Sequence, residues 1–214
     1  LINGLVLMGK FSKAYRNMLT AAKIPFVCLD MFDADCEQDT VISDGYYGMY
    51  FVTRHLLQMG HRDIVFVGSV NATSSITDRY YGYCRAMREA GILVTEKQVL
   101  PDRDAEGKIA ISLEKLSKMP TAFACNCDST AYILISLLQK AGFSIPNDIS
   151  IIGCDNIPLS QYVAPPLTTL HLSAKDLGQR TVYNFIQQLE GKPITKVPIN
   201  LDLIIRSTTA QAKR

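Results

Sequence analysis

The feature of this sequence that most constrains its fold is an alternation of short, largely apolar segments with amphipathic segments of helical spacing. Short apolar runs rich in Val, Ile and Phe are typical of strands buried on both faces. When such strands alternate with helices, a parallel sheet covered by helices on both sides is expected. The sequence therefore predicts an α/β fold. The predicted strands are residues 5–8 (LVLM), 26–29 (FVCL), 64–67 (IVFV), 121–125 (TAFAC) and 149–152 (ISII).

The amphipathic segments predict helices, and glycines mark several of their ends. Gly60, Gly91 and Gly142 each follow a predicted helix and supply the left-handed turn that ends it. Ser173 is a candidate N-cap for the last helix, which Gly191 ends. No low-complexity linker divides the chain, so two lobes would have to be built from interleaved segments. The helical stripes are Tyr15, Met18, Leu19 and Ala22; Met49, Val52, Leu56 and Met59; Tyr80, Tyr83, Cys84 and Met87; and Val182, Phe185, Ile186 and Leu189.

Charge and hydropathy exclude several classes of protein. The 214 residues carry a formal net charge of only +2, so they lack the basic footprint of a nucleic-acid-binding surface. No run of about 18 apolar residues is present, so no transmembrane helix is expected. Six cysteines without paired spacing favour reduced thiols in a cytoplasmic protein. They are Cys28, Cys36, Cys84, Cys125, Cys127 and Cys154.

Candidate ligand-binding residues lie just after the predicted strands, because open parallel sheets bind ligands beyond the carboxyl ends of their strands. These candidates are Lys10, Asp30, the segment 69–79, Asp128 and Asp155. Carboxylates, hydroxyls and a guanidinium at one edge suit a hydroxyl-rich or anionic small molecule, which they would bind through directional hydrogen bonds.

Each of these candidates also has a purely structural explanation. Asp128 precedes a predicted helix at 131–138 and is placed to cap it. Asp155 is placed to start a turn. Arg79 is equally compatible with a surface position, and the hydroxyls of 74–77 with a loop and a helix cap.

Catalytic motifs are missing from the sequence. Neither a P-loop nor a G-x-G-x-x-G fingerprint occurs, so phosphate cradling has no support. His55, His61 and His171 have no Cys or Ser neighbour arranged as a nucleophile–base pair and no metal spacing. The pair Cys125 and Cys127 is expected to pack rather than to bind a metal. The sequence favours a binding module over an enzyme, and it predicts no cofactor.

A series of motifs runs through the chain almost from end to end. They are residues 60–68 (GHRDIVFVG), 79–83 (RYYGY), 89–92 (EAGI), 145–158 (IPNDISIIGCDNIP), 165–170 (PPLTTL), 177–178 (LG) and 206–209 (RSTT). In these motifs, and in their order, the chain resembles the effector-binding domain of the lactose/galactose repressor family.

The resemblance implies a type I periplasmic-binding-protein fold. In that fold two doubly wound parallel-sheet lobes are joined by three crossovers and hold a small effector between them. It assigns residues 1–59 and 173–198 to an N-terminal lobe, and residues 60–172 and 199–214 to a C-terminal lobe. The segment 1–7 resembles the family's third strand, so the first two strand–helix units and the DNA-binding headpiece are expected to be missing from this chain.

The resemblance also implies an effector site. The family's R-x-x-G-[YF] motif places Arg79 there, with the hydroxyl residues Thr73 and Ser75 shortly before it. Its G-[FY]-D-[DN] motif places Asp155 there.

Two departures from the family pattern bear on the ligand. The family's N-D-x-x-A pattern appears as 127–131 (CDSTA), so Cys127 replaces an effector-contacting Asn beside Asp128. By the same resemblance, Asp102 replaces the aromatic residue that in the family stacks on a sugar or purine. Both changes weigh against a standard sugar or purine, and Tyr46 and Tyr47 are hypothesised to offer replacement stacking surfaces.

Two functions follow as expectations. In the first, the chain is the effector-binding domain of a cytoplasmic, homodimeric transcription regulator. A sugar or other polar metabolite, or a protein partner, then controls operator DNA binding by a helix-turn-helix outside this chain. In the second, the chain is an extracytoplasmic solute-binding protein of a transporter. The unpaired cysteines and the closing 206–209 motif favour the first.

Overall fold

The computed structural model describes residues 2–9, 11–31, 40–192, 198–199 and 201–213. The chain folds into two compact units, each made of segments that are separate in sequence. The first unit comprises Leu1–Asp44, Thr73–Ser75 and Ser173–Asn200, and the second comprises Gly45–Ala72, Ile76–Leu172 and Leu201–Arg214. Lys10 and Cys36, both considered in the sequence analysis, lie outside the described residues.

The first unit contains a four-stranded parallel sheet in the order β1-β2-β3-β9. Its last helix packs on β2 and β3 and buries Leu177, Thr181 and Asn184. The elements of this unit are β1 (Leu5–Met8), α1 (Lys13–Ala21), β2 (Phe26–Leu29), β3 (Thr40–Ser43), α5 (Ala174–Leu189) and β9 (Pro198–Ile199).

Two of the predicted apolar stripes in this unit are only partly buried. In α1 the buried residues are Arg16 and Leu19, whereas Met18 is 55% exposed. In α5 the apolar residues Val182 and Ile186 are exposed, because the helix turns a different face, with Leu177, toward the sheet. The predicted limits of α5 are nevertheless confirmed. The Ser173 hydroxyl accepts a hydrogen bond from the backbone N–H of Asp176, and Gly191 follows the helix with a φ of 68°.

The second unit contains a six-stranded sheet in the order β10-β8-β7-β6-β4-β5. All of its strand pairs are parallel except β10 with β8, which is antiparallel. The elements of this unit are α2 (Gly45–Gln58), β4 (Ile64–Val67), α3 (Ser74–Glu89), β5 (Val99–Leu100), β6 (Ala122–Cys125), α4 (Asp128–Lys140), β7 (Ser150–Asp155), β8 (Thr168–His171) and β10 (Asp202–Ile204).

Alternation along the central strands gives the second unit two apolar cores, one on each face of its sheet. In β6, Ala124 belongs to the core that α2 and α3 cover, and Phe123 belongs to the core on the α4 side. Both side chains are fully buried, as expected for a doubly covered sheet. The predicted stripes of α2 and α3 contribute to the first core, in which Met49, Val52 and Met87 are fully buried.

The boundary between the units differs from the expected one over residues 45–59. The sequence analysis assigned this segment to the N-terminal lobe, whereas α2 belongs to the second unit. The physical reason is that Met49, Val52 and Leu56 bury their side chains in the same core as β4 and β6.

The last residues of the chain are tied back to the sheet of the second unit. Thr208 is fully buried, and its hydroxyl donates to the carbonyl of Ile151 at 2.6 Å. His61, 3% exposed, places its Nε2 3.0 Å from the carbonyl oxygen of Ala210. The backbone N–H of Ala212 donates to Met59 at 2.8 Å. The tail is thereby part of the fold of this unit.

Candidate functional site

The candidate site lies at the carboxyl edge of the second unit's sheet. There β5 and β6 flank β4 on opposite sides, so the connections that follow β4 and β6 diverge. This divergence is where open α/β sheets bind ligands. The connection after β4 leads into α3, which carries Arg79, and β6 is followed directly by Asn126.

Arg79 is the central side chain of this edge. It is 5% exposed, so it is not the surface arginine that the sequence also allowed. Its Nη1 donates to the carbonyl oxygen of Asn126 at 2.5 Å, and its Nη2 donates to Oδ1 of Asp155 at 3.3 Å. A charge-assisted pair of this kind presents a guanidinium and a carboxylate side by side.

A close helix–helix contact places Arg79. A Cβ on Gly82, one turn after Arg79 in α3, would lie 2.0 Å from the carbonyl oxygen of Tyr46 in α2. Only a glycine permits α3 to lie this close to α2. In the R-x-x-G segment, Gly82 therefore allows the two helices to pack closely, and Arg79 contributes its side chain to the candidate site.

Asp155 ends β7 in a backbone conformation that side chains rarely adopt. Its φ is 112° and that of Asn156 is 52°. The Asp155 side chain is 28% exposed, the larger exposure of the two partners in the ion pair. Strained backbone of this type clusters at functional sites. The turn expected after β7 is present, and the structure brings Asp155 and Arg79 together.

The expected hydroxyl residues lie at the beginning of α3. The hydroxyl oxygens of Thr73 and Ser75 are 3.0 Å apart, and both side chains are partly exposed. Ser75 lies one turn before Arg79 on the same helix.

Asp102 is not placed to contact a ligand, which corrects the sequence-based expectation. Its side chain is fully buried. It accepts hydrogen bonds from the Ser69 backbone, the Asn126 amide and the Thr130 hydroxyl, at 2.7–2.8 Å. Burial opposes its ionisation, but these hydrogen bonds outweigh burial and lower the pKa of Asp102 below its usual value. Asp102, which follows β5, is instead hydrogen-bonded to Ser69 after β4 and to Asn126 after β6, so it holds these three connections together.

Asp128 is likewise fully buried, and it does not cap α4. The N-cap residue is Cys127, and the carboxylate of Asp128 accepts from the Thr169 hydroxyl at 2.6 Å and from the Ile157 backbone at 3.0 Å. A Cβ on Gly153 would lie 2.2 Å from Oδ1 of Asp128, so the glycine makes room for this carboxylate. Burial raises the pKa of Asp128 to about 6. The capping interpretation of Asp128 is therefore wrong, and its carboxylate is hydrogen-bonded within the protein instead.

Cys127 is the partly exposed member of the cysteines near this edge. Its Sγ lies 3.2 Å from the hydroxyl of Thr130, and burial raises its pKa. Cys125 and Cys154 are fully buried in the sheet. The thiol of Cys127 therefore adds an uncharged, weakly hydrogen-bonding group beside Asn126.

Tyr46 and Tyr47 belong to a different cluster, on the α2–α3 face. The ring of Tyr47 packs edge-on against Tyr46 and Tyr50. The guanidinium of Arg85 lies 4.7 Å from the Tyr50 ring centroid and 5.7 Å from that of Tyr47. This packing does not place Tyr47 with the Arg79–Asp155 pair, so it gives no support to the stacking hypothesis.

The remaining candidate, Asp30, follows β2 in the first unit. Its φ is 53°, and its Oδ1 accepts a hydrogen bond from Ser43 at 3.0 Å. In the part of the chain that the structure describes, no group of three or more His, Cys, Asp or Glu side chains is arranged to hold a metal ion. Over the same residues, no helix is long and apolar enough to cross a membrane.

The sequence analysis missed three residues that organise this edge. Asn126 bridges Arg79 and Asp102, and Asn156 is hydrogen-bonded to Arg206 of the tail at 2.7 Å. The sequence could have indicated the two asparagines, because each follows the last residue of a buried strand: Asn126 follows β6 and Asn156 follows β7. No signal placed Arg206, whose partners are far away in sequence.

Comparison with known proteins adds the family. The periplasmic binding protein-like domain matches residues 53–209. The HTH-type transcriptional repressor PurR of Glaesserella parasuis serovar 5 (strain SH0165) is 32% identical over 215 residues, covering 95% of this chain and 63% of the relative. The chain thus spans less than two thirds of that relative's length.

Solved structures of the same kind superpose closely. A LacI family transcriptional regulator from Enterococcus faecium, with bound ribose, has a TM-score of 0.88 at 28% identity and covers 99% of this chain and 81% of its own. The transcription regulator CcpA of Lactococcus lactis has a TM-score of 0.84 at 26% identity, and the match covers 97% of this chain and 78% of the CcpA chain. The predicted fold class is confirmed, and the chain belongs to the periplasmic binding protein-like domain family, in the form found in repressors of the LacI family.

Proposed function

We propose that this chain is the ligand-sensing part of a transcription regulator that binds a small polar effector through Arg79 and Asp155. The observation that carries the proposal is the ion pair between these side chains at the diverging edge of the sheet, with Arg79 also held by Asn126. The names of its relatives support the regulatory role. They give no support to the transporter alternative.

The chemistry of the pair favours a hydroxyl-rich ligand. Asp155 accepts hydrogen bonds and Arg79 donates them, so adjacent hydroxyl groups of one ligand can be bound by both. Cys127 is proposed to line the same site, and the hydroxyls of Thr73 and Ser75 are proposed to contact the effector as well. The relative from Enterococcus faecium was solved with ribose, which supports a ligand of this class.

Effector binding is proposed to control a helix-turn-helix outside this chain. A ligand changes such an equilibrium only by its difference in affinity for the two states, so the effector must bind the operator-binding and operator-free states unequally. Neither enzymatic activity nor a cofactor is part of the proposal, and the site of action is the cytoplasm.

The test is a ligand screen on the full-length protein that contains this chain. Melting temperatures are measured with ribose, other sugars, sugar phosphates, nucleosides and amino acids. A stabilising ligand is expected to lose its effect in Arg79→Ala and in Asp155→Ala, and to keep it in Arg62→Ala, whose side chain lies elsewhere on the second unit. An unchanged shift in both site variants would refute the assignment.

We further propose that the protein acts as a homodimer. Support comes from two apolar side chains that lie close together in sequence on the second unit: Leu159 is 52% and Tyr162 79% exposed. Large apolar side chains exposed together are typical of protein interfaces. In sedimentation equilibrium, Tyr162→Glu is expected to weaken self-association, whereas Tyr81→Glu on the α2–α3 face is not.

A further inference from the structure

Two consecutive residues of the candidate site are held in a conformation that they do not prefer. Asp155 and Asn156 both have positive φ, at 112° and 52°, and neither is a glycine. Such residues persist only when their surroundings over-determine them. The groups that hold this turn therefore decide where the carboxylate of Asp155 lies.

The side chain of Asn156 is fixed at both ends. Its Oδ1 accepts from Nη2 of Arg206 at 2.7 Å and from the hydroxyl of Ser160 at 3.0 Å. Because the oxygen faces these two donors, the amide nitrogen faces Nδ1 of His171, at 3.0 Å. One orientation of the amide satisfies all three neighbours, so the side chain has no equivalent alternative position.

The side chain and backbone of Arg206 are held by hydrogen bonds to β8 and to the segment before it. Its Nη1 donates to the carbonyl of Leu167 at 2.7 Å and to the hydroxyl of Ser160 at 3.1 Å. Its backbone N–H donates to the hydroxyl of Thr168 at 2.9 Å. A planar guanidinium with several donors suits this multiple attachment, which a lysine reproduces only in part.

We propose that Arg206 is a positioning residue for the effector site and acts on Asp155 through the side chain of Asn156. This inference rests on the proposed function of the Arg79–Asp155 pair. Arg206 forms its hydrogen bonds with Asn156, Ser160, Leu167 and Thr168, and it is Asp155 that pairs with Arg79. Arg206 keeps the turn in its left-handed conformation and thereby keeps Asp155 facing Arg79.

The first test needs no ligand. Crystal structures of the full-length protein and of Arg206→Gln are compared at the Asp155–Asn156 turn. The φ of Asp155 is expected to leave the left-handed region in Arg206→Gln and to be retained in the control Arg62→Gln. Retention in Arg206→Gln would overturn the proposal, whether or not any effector is found.

The second test separates positioning from general stabilisation, with ribose as the probe in titration calorimetry. Arg206→Gln is expected to weaken ribose binding about tenfold to a hundredfold, and Arg206→Lys to weaken it less. In an Asn156→Gly background, Arg206→Gln is expected to have no further effect, because the route through the amide is already removed. Additive losses would overturn the proposal. If the native protein binds no ribose, the proposed ligand class fails while the crystallographic test still decides the role of Arg206.

Discussion

At the scale of single residues, the two buried carboxylates of the second unit show that burial alone does not set a pKa. Asp102 and Asp128 are both fully buried. Burial is the largest influence on each, but three hydrogen bonds outweigh it at Asp102, whereas two do not at Asp128. The pKa of Asp102 is therefore lowered and that of Asp128 is raised to about 6.

Removal of the Asp102 carboxylate is expected to destabilise the protein strongly. Asp102→Ala removes the acceptor of three hydrogen bonds, from Ser69, Asn126 and Thr130. Asn126 keeps the Val67 carbonyl and Thr130 keeps the Cys127 sulfur as partners. At about 1 kcal/mol for each lost hydrogen bond, the free energy of unfolding should fall by about 3 kcal/mol. Urea unfolding measures this loss. Asp104→Ala, an exposed neighbour, is the control, and an equal effect of both variants would contradict the prediction.

The raised pKa of Asp128 predicts a pH dependence of defined sign. Since its folded pKa of about 6 lies above the reference value of 3.8, its contribution to stability is present below 3.8 and is lost as the pH rises through 6. Relative to Asp128→Asn, the native protein should lose about 2 kcal/mol of unfolding free energy between pH 4 and pH 7. Urea titrations at several pH values test this difference. The carboxyl carbon of Asp128 should also titrate near pH 6 in NMR, and a midpoint near 4 would contradict the prediction.

The sequence located these residues but not their partners. Periodicity predicted β1, β2 and β4 with their observed limits, because a short apolar run leaves little choice of where the strand begins and ends. It also placed Asp128 correctly just after a strand. Asp102 was named only from the resemblance, because the short strand before it was not predicted. Whether a carboxylate there faces solvent or the protein interior depends on donors distant in sequence, such as Thr169, and no local pattern records them.

At the scale of secondary-structure elements, the contact between α2 and α3 governs where Arg79 lies. Gly82 permits the close approach to Tyr46 that positions this part of α3. The tight contact could not be predicted from the sequence, because a glycine within a helical stripe indicates only reduced helix propensity. The assignment of α2 to the N-terminal lobe had another cause: the sequence does not show that Met49, Val52 and Leu56 share a core with β4 and β6.

Two glycine-to-alanine substitutions in helices are expected to have opposite effects. Gly82→Ala forces a methyl group against the Tyr46 carbonyl, where it would lie 2.0 Å away, so α3 must move. A loss of about 3 kcal/mol in unfolding free energy or more is expected, since over-packing a rigid contact costs at least 1–3 kcal/mol. Gly178→Ala in α5 meets nothing within 4 Å and should instead stabilise by about 0.5–1 kcal/mol. Thermal unfolding of both variants measures the contrast, and the same sign for both would refute it.

At the scale of the whole molecule, the tail of the chain is a structural part of the second unit. His61 lies between the sheet and the tail, with Nδ1 3.0 Å from the Thr121 hydroxyl and Nε2 3.0 Å from the Ala210 carbonyl. Burial, assisted by the charge of His55, lowers the pKa of His61 despite the Ala210 hydrogen bond. The imidazole is therefore held neutral in the folded protein at neutral pH.

Loss of the His61 side chain is expected to release the tail. In His61→Ala the carbonyl of Ala210 and the hydroxyl of Thr121 each lose one of two partners, since Ser150 and Asp63 remain, and each lost hydrogen bond costs about 1 kcal/mol. Hydrogen exchange of the Ala210 and Ala212 amides should accelerate in this variant. His55→Ala is the control, because Nε2 of His55 has no hydrogen-bond partner among the described residues. Unchanged exchange in His61→Ala would contradict the prediction.

The attachment of Arg206 has a genetic consequence. During synthesis of the protein, Arg79 and Asp155 are both made before Arg206, so the nascent chain carries both partners of the ion pair without the side chain that holds Asn156. A missense mutation of Arg206 should therefore impair the effector response although it changes no ligand-contacting residue.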